Sequence, residues 1–194
     1  MENKAAINLY DLQTRLATSD QSALKLLYDH LFAKLFYFSY SIVHTKEVSE
    51  EIIEDVFMQV WKQRERIMEI ENLTHYMYVA VKNTAYSYLR KNNKENSFTL
   101  DEVSLPYLKI DLNPELIMIS NETIQRINLA INNLPPKCRH IFKLVKEDGL
   151  KYKEVAELLD ISIKTVENQL GIALKKIQSS ISAQLHEKIR VSEK

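Results

Sequence analysis

Glycine and proline are scarce: two glycines, Gly149 and Gly171, and four prolines, Pro106, Pro114, Pro135 and Pro136, among 194 residues. Strand-rich folds need turns, and turns draw on Gly, Pro and Asn-Gly pairs, so a sandwich or barrel is excluded. The one cysteine, Cys138, cannot close an internal disulfide, which fits a reducing compartment. Neither charge is in excess, with 26 Lys plus Arg against 26 Asp plus Glu. A uniformly basic coat for nucleic acid is therefore excluded, and any such contact has to arise from local charge segregation. Long apolar runs are missing too. The longest, from Leu31 to Val43, is interrupted by Lys34 and is too short for a bilayer, so no direct membrane insertion is expected. Met1-Glu2-Asn3-Lys4 opens without an apolar signal-peptide core, which makes cytoplasmic localisation the expectation.

Apolar residues make up 45% of the chain, enough for a buried core. They recur at three- and four-residue spacing, so the fold class is all-α, as two small helical domains joined by a linker. Leu24, Leu27, Leu31, Leu35, Phe38 and Ile42 stripe a helix over Ala23 to His44. A second helix, about Val48 to Arg66, buries Val48, Ile52, Val56 and Val60, with Phe57 and Trp61 assigned to the core. A third covers Leu73 to Lys91. None of these three helices carries a strong cap signal. Polar Asn92 to Ser97, then Pro106 and Pro114, break the pattern. The expected domains are 1–95 and 121–194, with a linker over 96–120. Beyond it, Ile124, Ile127, Ala130, Ile131 and Leu134 resume the spacing, Pro135 and Pro136 start a new helix, and Gly149 ends it.

Charge lies in blocks. Lys46 to Glu71 carries a net −4 and Asn72 to Phe98 a net +3, while Arg126 to Asp148 and Gly171 to Lys194 each carry +3. Such blocks fit either a solvated mixed surface or separate sites, an acidic one for a basic protein and basic ones for phosphates.

The most informative stretch is Gly149 to Leu170. Val155, Ala156 and Leu159 form an apolar face with a small residue where two helices approach. Asp160-Ile161-Ser162 makes a short turn in which Ile161 plugs the core and Ser162 caps the next helix. Val166 and Leu170 bury that helix, leaving Lys164, Thr165, Glu167, Asn168 and Gln169 outward near its start. This is the pattern of a helix-turn-helix, whose second helix enters a major groove. Asn168 or Gln169 suits adenine, and Lys164, Lys175 and Lys176 suit phosphates. A plain helical hairpin would show the same apolar spacing.

Leu134-Pro135-Pro136-Lys137-Cys138-Arg139, Asp148-Gly149-Leu150, Tyr152-Lys153-Glu154-Val155-Ala156 and Ile161-Ser162-Ile163-Lys164-Thr165-Val166-Glu167 closely resemble region 4 of sigma-70 family factors, the promoter-recognition subunits of bacterial RNA polymerase. Ser49-Glu50-Glu51-Ile52-Ile53-Glu54-Asp55-Val56-Phe57 with Trp61 resembles region 2.2. Tyr76-Met77-Tyr78, Lys82-Asn83 and Tyr88-Leu89-Arg90 resemble regions 2.3 and 2.4. Two such domains with only a short linker between them resemble the extracytoplasmic-function (ECF) group, and the wording around Cys138 and Thr165 resembles the Bacteroides-type members.

The resemblance implies a non-enzymatic factor, without catalytic residues, metal or cofactor, that binds core RNA polymerase at its β′ clamp helices and β flap. Glu51, Glu54, Asp55, Met58, Gln59 and Lys62 match the polymerase-binding positions. Tyr78, Lys82 and Asn83 match positions that contact −10 bases, with Tyr86, Arg90 and Lys91 beside the backbone; aromatic faces stack on unpaired bases there. The stretch Glu65 to Asn72 matches a loop that captures a flipped base. Arg139, Lys151, Lys164, Thr165, Glu167, Asn168 and Lys175 match the surface on −35 DNA. Lys151 stands where Ser or Thr is common, which weakens a helix cap, and Gly171 sits inside the recognition helix. An anti-sigma factor, often membrane-bound, is a further implied partner. Tyr76 and Tyr88 fit a core role equally well. Ile177, Ile181, Leu185 and Ile189 extend an apolar stripe that either packs on the domain or docks a partner.

The alternative is a stand-alone regulator, since Thr165-Val166-Glu167-Asn168 also resembles LuxR-type output domains; it leaves the N-terminal helices unexplained. An enzyme fits poorly. His30, His44, His75, His140 and His186 lack metal-ligand spacing, and there is no glycine-rich phosphate loop.

Overall fold

The computed structural model describes residues 8–92 and 121–192, with side chains described over 8–92 and 127–180. All regular structure among the described residues is helical. The chain divides into two compact units, Met1–Thr99 and Leu100–Lys194. The expected linker, 96–120, lies outside the described residues.

The N-terminal unit holds α1 (Leu9–Ala17), α2 (Gln21–Val43), α3 (Lys46–Lys62), a 3₁₀ turn (Arg64–Glu69) and α4 (Leu73–Lys91). Helices α2, α3 and α4 pack on one another, and α1 packs on α2 and the 3₁₀ turn. Leu27, Leu31, Leu35 and Phe38 of α2, Ile53 and Val56 of α3, and Met77, Val81 and Ala85 of α4 are almost fully buried. A second stripe on α2 is aromatic: Tyr28, Phe32, Phe36 and Tyr40 stack at four-residue spacing, and Tyr28 also meets Phe57 at 4.9 Å.

Three sequence expectations need correction. Of the N-terminal helices only α3 lacks a side-chain cap: the side chains of Asn8, Asp20 and Asn72 accept backbone N–H groups at the starts of α1, α2 and α4. The helix expected to reach Arg66 ends at Lys62, where the backbone tightens into the 3₁₀ turn and buries Ile67. Trp61 is half-buried rather than central, with the Arg64 guanidinium 4.7 Å above its ring.

The C-terminal unit holds α5 (Asn121–Asn132), α6 (Pro136–Lys146), α7 (Tyr152–Leu159) and α8 (Ile163–Ser192). Helix α8 packs against the other three, and α6 packs on α7. Ile131, Leu134, Cys138 and Ala173 form a core cluster, with Ile127, Phe142 and Ile177 against it. Ile177 thus packs inward; the side chains of Ile181, Leu185 and Ile189 lie outside the described residues. Gly149 ends α6 at φ +70, and Leu150 N–H donates back to Leu144 C=O at 3.0 Å.

Candidate functional site

The acidic surface is built on α3. Ile52, Ile53, Val56, Phe57 and Val60 are buried, which turns the opposite face out. Glu51, Glu54, Asp55, Met58, Gln59 and Lys62 are all exposed. Their spacing of three and four residues makes one continuous strip. Met58 is the apolar member, at 51% exposure. The acidic field reaches α2: the Tyr28 phenol is pushed up by burial and then by Glu54, Glu50 and Asp29.

The second surface is one face of α4. Asn72 accepts His75 N–H at 3.1 Å to start the helix, and Met77, Val81, Ala85 and Leu89 bury its inner face. Asn83, Arg90 and Lys91 are exposed, while Lys82 and Tyr86 are half-buried. Lys82, Asn83, Tyr86 and Arg90 fall on a common face; Arg90 donates to Ser87 Oγ at 3.1 Å. Tyr78 does not share it. Its ring is 3% exposed and meets Phe38 edge-on at 5.1 Å, so it is a core residue rather than a stacking platform. The aromatic residues on the outer side are Tyr86 and Tyr76, the latter half-buried with its hydroxyl donating to Gln63 Oε1 at 3.2 Å. Tyr76 carries a signal available in the sequence, two turns before Asn83, but core packing was an equal reading of it. The stretch Glu65–Asn72 is held by Gln13, whose side-chain amide donates to Ile67 C=O at 3.0 Å and Ile70 C=O at 2.9 Å.

The third surface is the start of α8. Val155, Ala156 and Leu159 of α7 are buried, as are Val166, Leu170 and Ala173 of α8. Between them Asp160 takes a left-handed conformation at φ 53, Ile161 N–H donates to Ala156 C=O, and Ser162 Oγ accepts Thr165 N–H at 3.0 Å. Lys164, Glu167 and Asn168 are exposed, with Lys164 Nζ 3.1 Å from a Glu167 carboxylate oxygen. Lys175 is exposed two turns after Asn168. Thr165 is half-buried, its hydroxyl 2.8 Å from Ser162 Oγ. Gln169 turns inward, where its Oε1 accepts the Cys138 thiol at 2.8 Å.

One member of this set behaves differently from the expectation. Arg139 is half-buried and donates from one guanidinium nitrogen to Asn132 C=O at 2.7 Å, which ties it to the end of α5. Lys151 is exposed and, as expected, supplies no side-chain cap to α7; Glu154 accepts Lys151 N–H at 2.7 Å, which leaves half of a capping box.

Burial pushes the Cys138 thiol up, away from the thiolate a reactive cysteine needs. No cluster of three or more metal-ligating side chains occurs among the described residues. No helix among them is long and apolar enough to cross a membrane.

Two family models match, Sigma-70 region 2 over residues 27–95 and Sigma-70 region 4 over residues 124–177. The chain belongs to the sigma-70 family. It is a sigma factor that directs transcription initiation and binds promoter DNA, and it is not an enzyme. Among curated relatives it is similar to the ECF RNA polymerase sigma-E factor of Escherichia coli (strain K12), at 26% identity over 180 residues, covering 88% of this chain and 92% of the relative. Among solved structures it is similar to CnrH in complex with the cytosolic domain of CnrY, at a TM-score of 0.45 and 16% identity, covering 89% of this chain and 96% of that one. It is also similar to the sigma factor RpoE in complex with the anti-sigma factor NepR from Bartonella quintana, at 0.43 and 19%, covering 81% and 96%. The region 2 match spans the N-terminal helices that a stand-alone LuxR-like regulator leaves without a role. Each candidate surface lies within the family match: α3 and α4 within region 2, and the exposed start of α8 within region 4.

Proposed function

We propose that this sigma factor divides its work among three surfaces. The exposed strip of α3 docks on core RNA polymerase at the β′ clamp helices, with Glu51, Glu54 and Asp55 facing basic groups. The outer face of α4 holds the opened −10 strand through Asn83, Tyr86, Lys82, Arg90 and Lys91. The start of α8 reads duplex −35 DNA through Lys164, Glu167 and Asn168, with Lys151 and Lys175 on phosphates and the C-terminal unit resting on the β flap. Tyr78 drops out of the −10 set, and Arg139 acts by fixing α5 against α6. The working place is the cytoplasm. An anti-sigma factor, membrane-bound in the ECF pattern, is the partner expected to restrain it.

The observation that carries this reading is the unbroken exposure of all six outward positions on α3 above an inner face that is apolar except for Ser49. Charge reversal tests it. Glu54→Lys with Asp55→Lys should abolish co-purification with core polymerase while the circular dichroism spectrum stays that of the parent. Polymerase binding unchanged by the double reversal would remove α3 as the anchor.

A further inference from the structure

We propose that Gly171 is a clearance notch for duplex DNA: the missing side chain lets a sugar–phosphate wall of the groove come directly against α8. The inference rests on the reading of α8 as the −35 helix. It begins from a glycine that nothing among the described residues explains. Gly171 lies within the continuous helix α8, and of the two glycines only Gly149 has a positive φ. Among the described residues, a Cβ built on Gly171 meets no atom of another helix within 4 Å. Neither conformation nor packing therefore calls for glycine here. Yet glycine in a helix interior is disfavoured about fivefold against alanine. What offsets that cost lies on the side toward which position 171 points.

That side is the reading face. Val166, Leu170 and Ala173 are buried and define the inner face of α8. Positions 164, 168, 171 and 175 follow at intervals of four, three and four residues and define an outward line. Lys164, Asn168 and Lys175 on this line are exposed. Ile172 and Leu174 flank it, partly exposed. An amide between two ammonium groups suits a polyanion carrying base edges better than it suits an apolar helix. Lys164 and Lys175 stand about 16 Å apart along the axis, and a major groove is about 12 Å wide. The pair therefore reaches both walls, and the wall nearer Lys175 falls one turn from Gly171. A side chain at 171 would stand between that wall and the helix backbone.

The test uses the full chain with core polymerase. The probe is a duplex promoter library randomised over the −35 hexamer, from which the parent selects its own sequence. Gly171→Ala should raise the thermal midpoint, because the fold has room for the methyl group, and should weaken binding to the selected duplex by about 5- to 100-fold. Gly171→Leu should weaken it further, while co-purification with polymerase stays intact. Stability and DNA affinity moving in opposite directions is the signature, and a merely structural glycine would not produce it. Gly171→Ala binding the duplex as tightly as the parent overturns the notch. So does a loss of binding that follows a fall in the thermal midpoint, or a loss of polymerase with duplex affinity unchanged. A parent chain that selects no −35 sequence overturns the reading of α8 itself, and the notch with it.

Discussion

Tyr78 and Tyr86 sit two turns apart on α4 and have opposite fates. Tyr78 is enclosed against Phe38, and Tyr86 stays at the outer face. Replacing Tyr78 with alanine removes a buried ring and should cost about 3–5 kcal/mol of stability, read as a shifted urea midpoint. Tyr78→Phe keeps the ring and should leave −10 opening at the parent's level. Tyr86→Ala or Asn83→Ala should slow opening on a fluorescent −10 probe with stability nearly unchanged. Opening lost in Tyr78→Phe but kept in Tyr86→Ala would reverse the assignment. The sequence could not separate the two because tyrosine is amphipathic. With Tyr76, Tyr78, Tyr86 and Tyr88 spread around one helix, no tyrosine marks the buried side by composition. On α3 the residues mark it better: the polar face that the spacing sets against Ile, Val and Phe holds Glu50, Glu51, Glu54, Asp55, Met58, Gln59 and Lys62, and all but the half-buried Glu50 are exposed.

At the scale of helices, the ends are where reading and structure part most. Asn72 was available as a cap signal immediately before Leu73, and its side chain accepts His75 N–H. Asn72→Ala should destabilise the N-terminal unit by about 1 kcal/mol, seen as faster hydrogen exchange in the first turn of α4. The helix-turn-helix corner carries its own strain. Asp160 has a positive φ, a conformation that costs a side-chain-bearing residue about 1–2 kcal/mol and glycine nearly nothing. Asp160→Gly should therefore raise the urea midpoint of the C-terminal unit; a lower midpoint would show that the Asp160 side chain holds the turn. Helix α1 leaves a weak trace in the sequence because it is short and buries only Leu12, Gln13 and Leu16 of its nine residues. The alternation of apolar blocks, and Pro135 and Pro136 at the start of α6, did make the other helices legible.

Across the whole molecule, acid should act unequally on the two units. Burial and then Lys143 push the pKa of the His140 imidazole down to about 4 from an ordinary 6.5. Below pH 6.5 the unfolded chain takes up a proton that the folded unit refuses, so stability falls as pH drops from 6.5 toward 4, by about 3 kcal/mol over the window. Asp20 in the N-terminal unit runs lower: Ser22 and then Arg15 hold its carboxyl at about 2, so its contribution is lost only between pH 3.8 and 2. Circular dichroism melts at pH 7 and 4.5 should show a C-terminal transition that shifts downward. The fluorescence of Trp61, the one tryptophan, reports on the other unit and should not follow it. His140→Phe should flatten the dependence. A Trp61 transition that shifts with the circular dichroism would exclude His140 as the cause.

The amide of Gln13 has a reach beyond its own helix. Two carbonyls of the segment between α3 and α4 meet on one nitrogen supplied from the beginning of the chain. Gln13→Ala would keep every polymerase- and DNA-facing side chain, the buried leucines of α1 and the Asp20 cap of α2, yet take this donor from both oxygens and leave Ile67 C=O with the Ile70 N–H alone. If that segment serves strand opening, the substitution should impair promoter melting while leaving attachment to the enzyme and recognition of the upstream duplex whole.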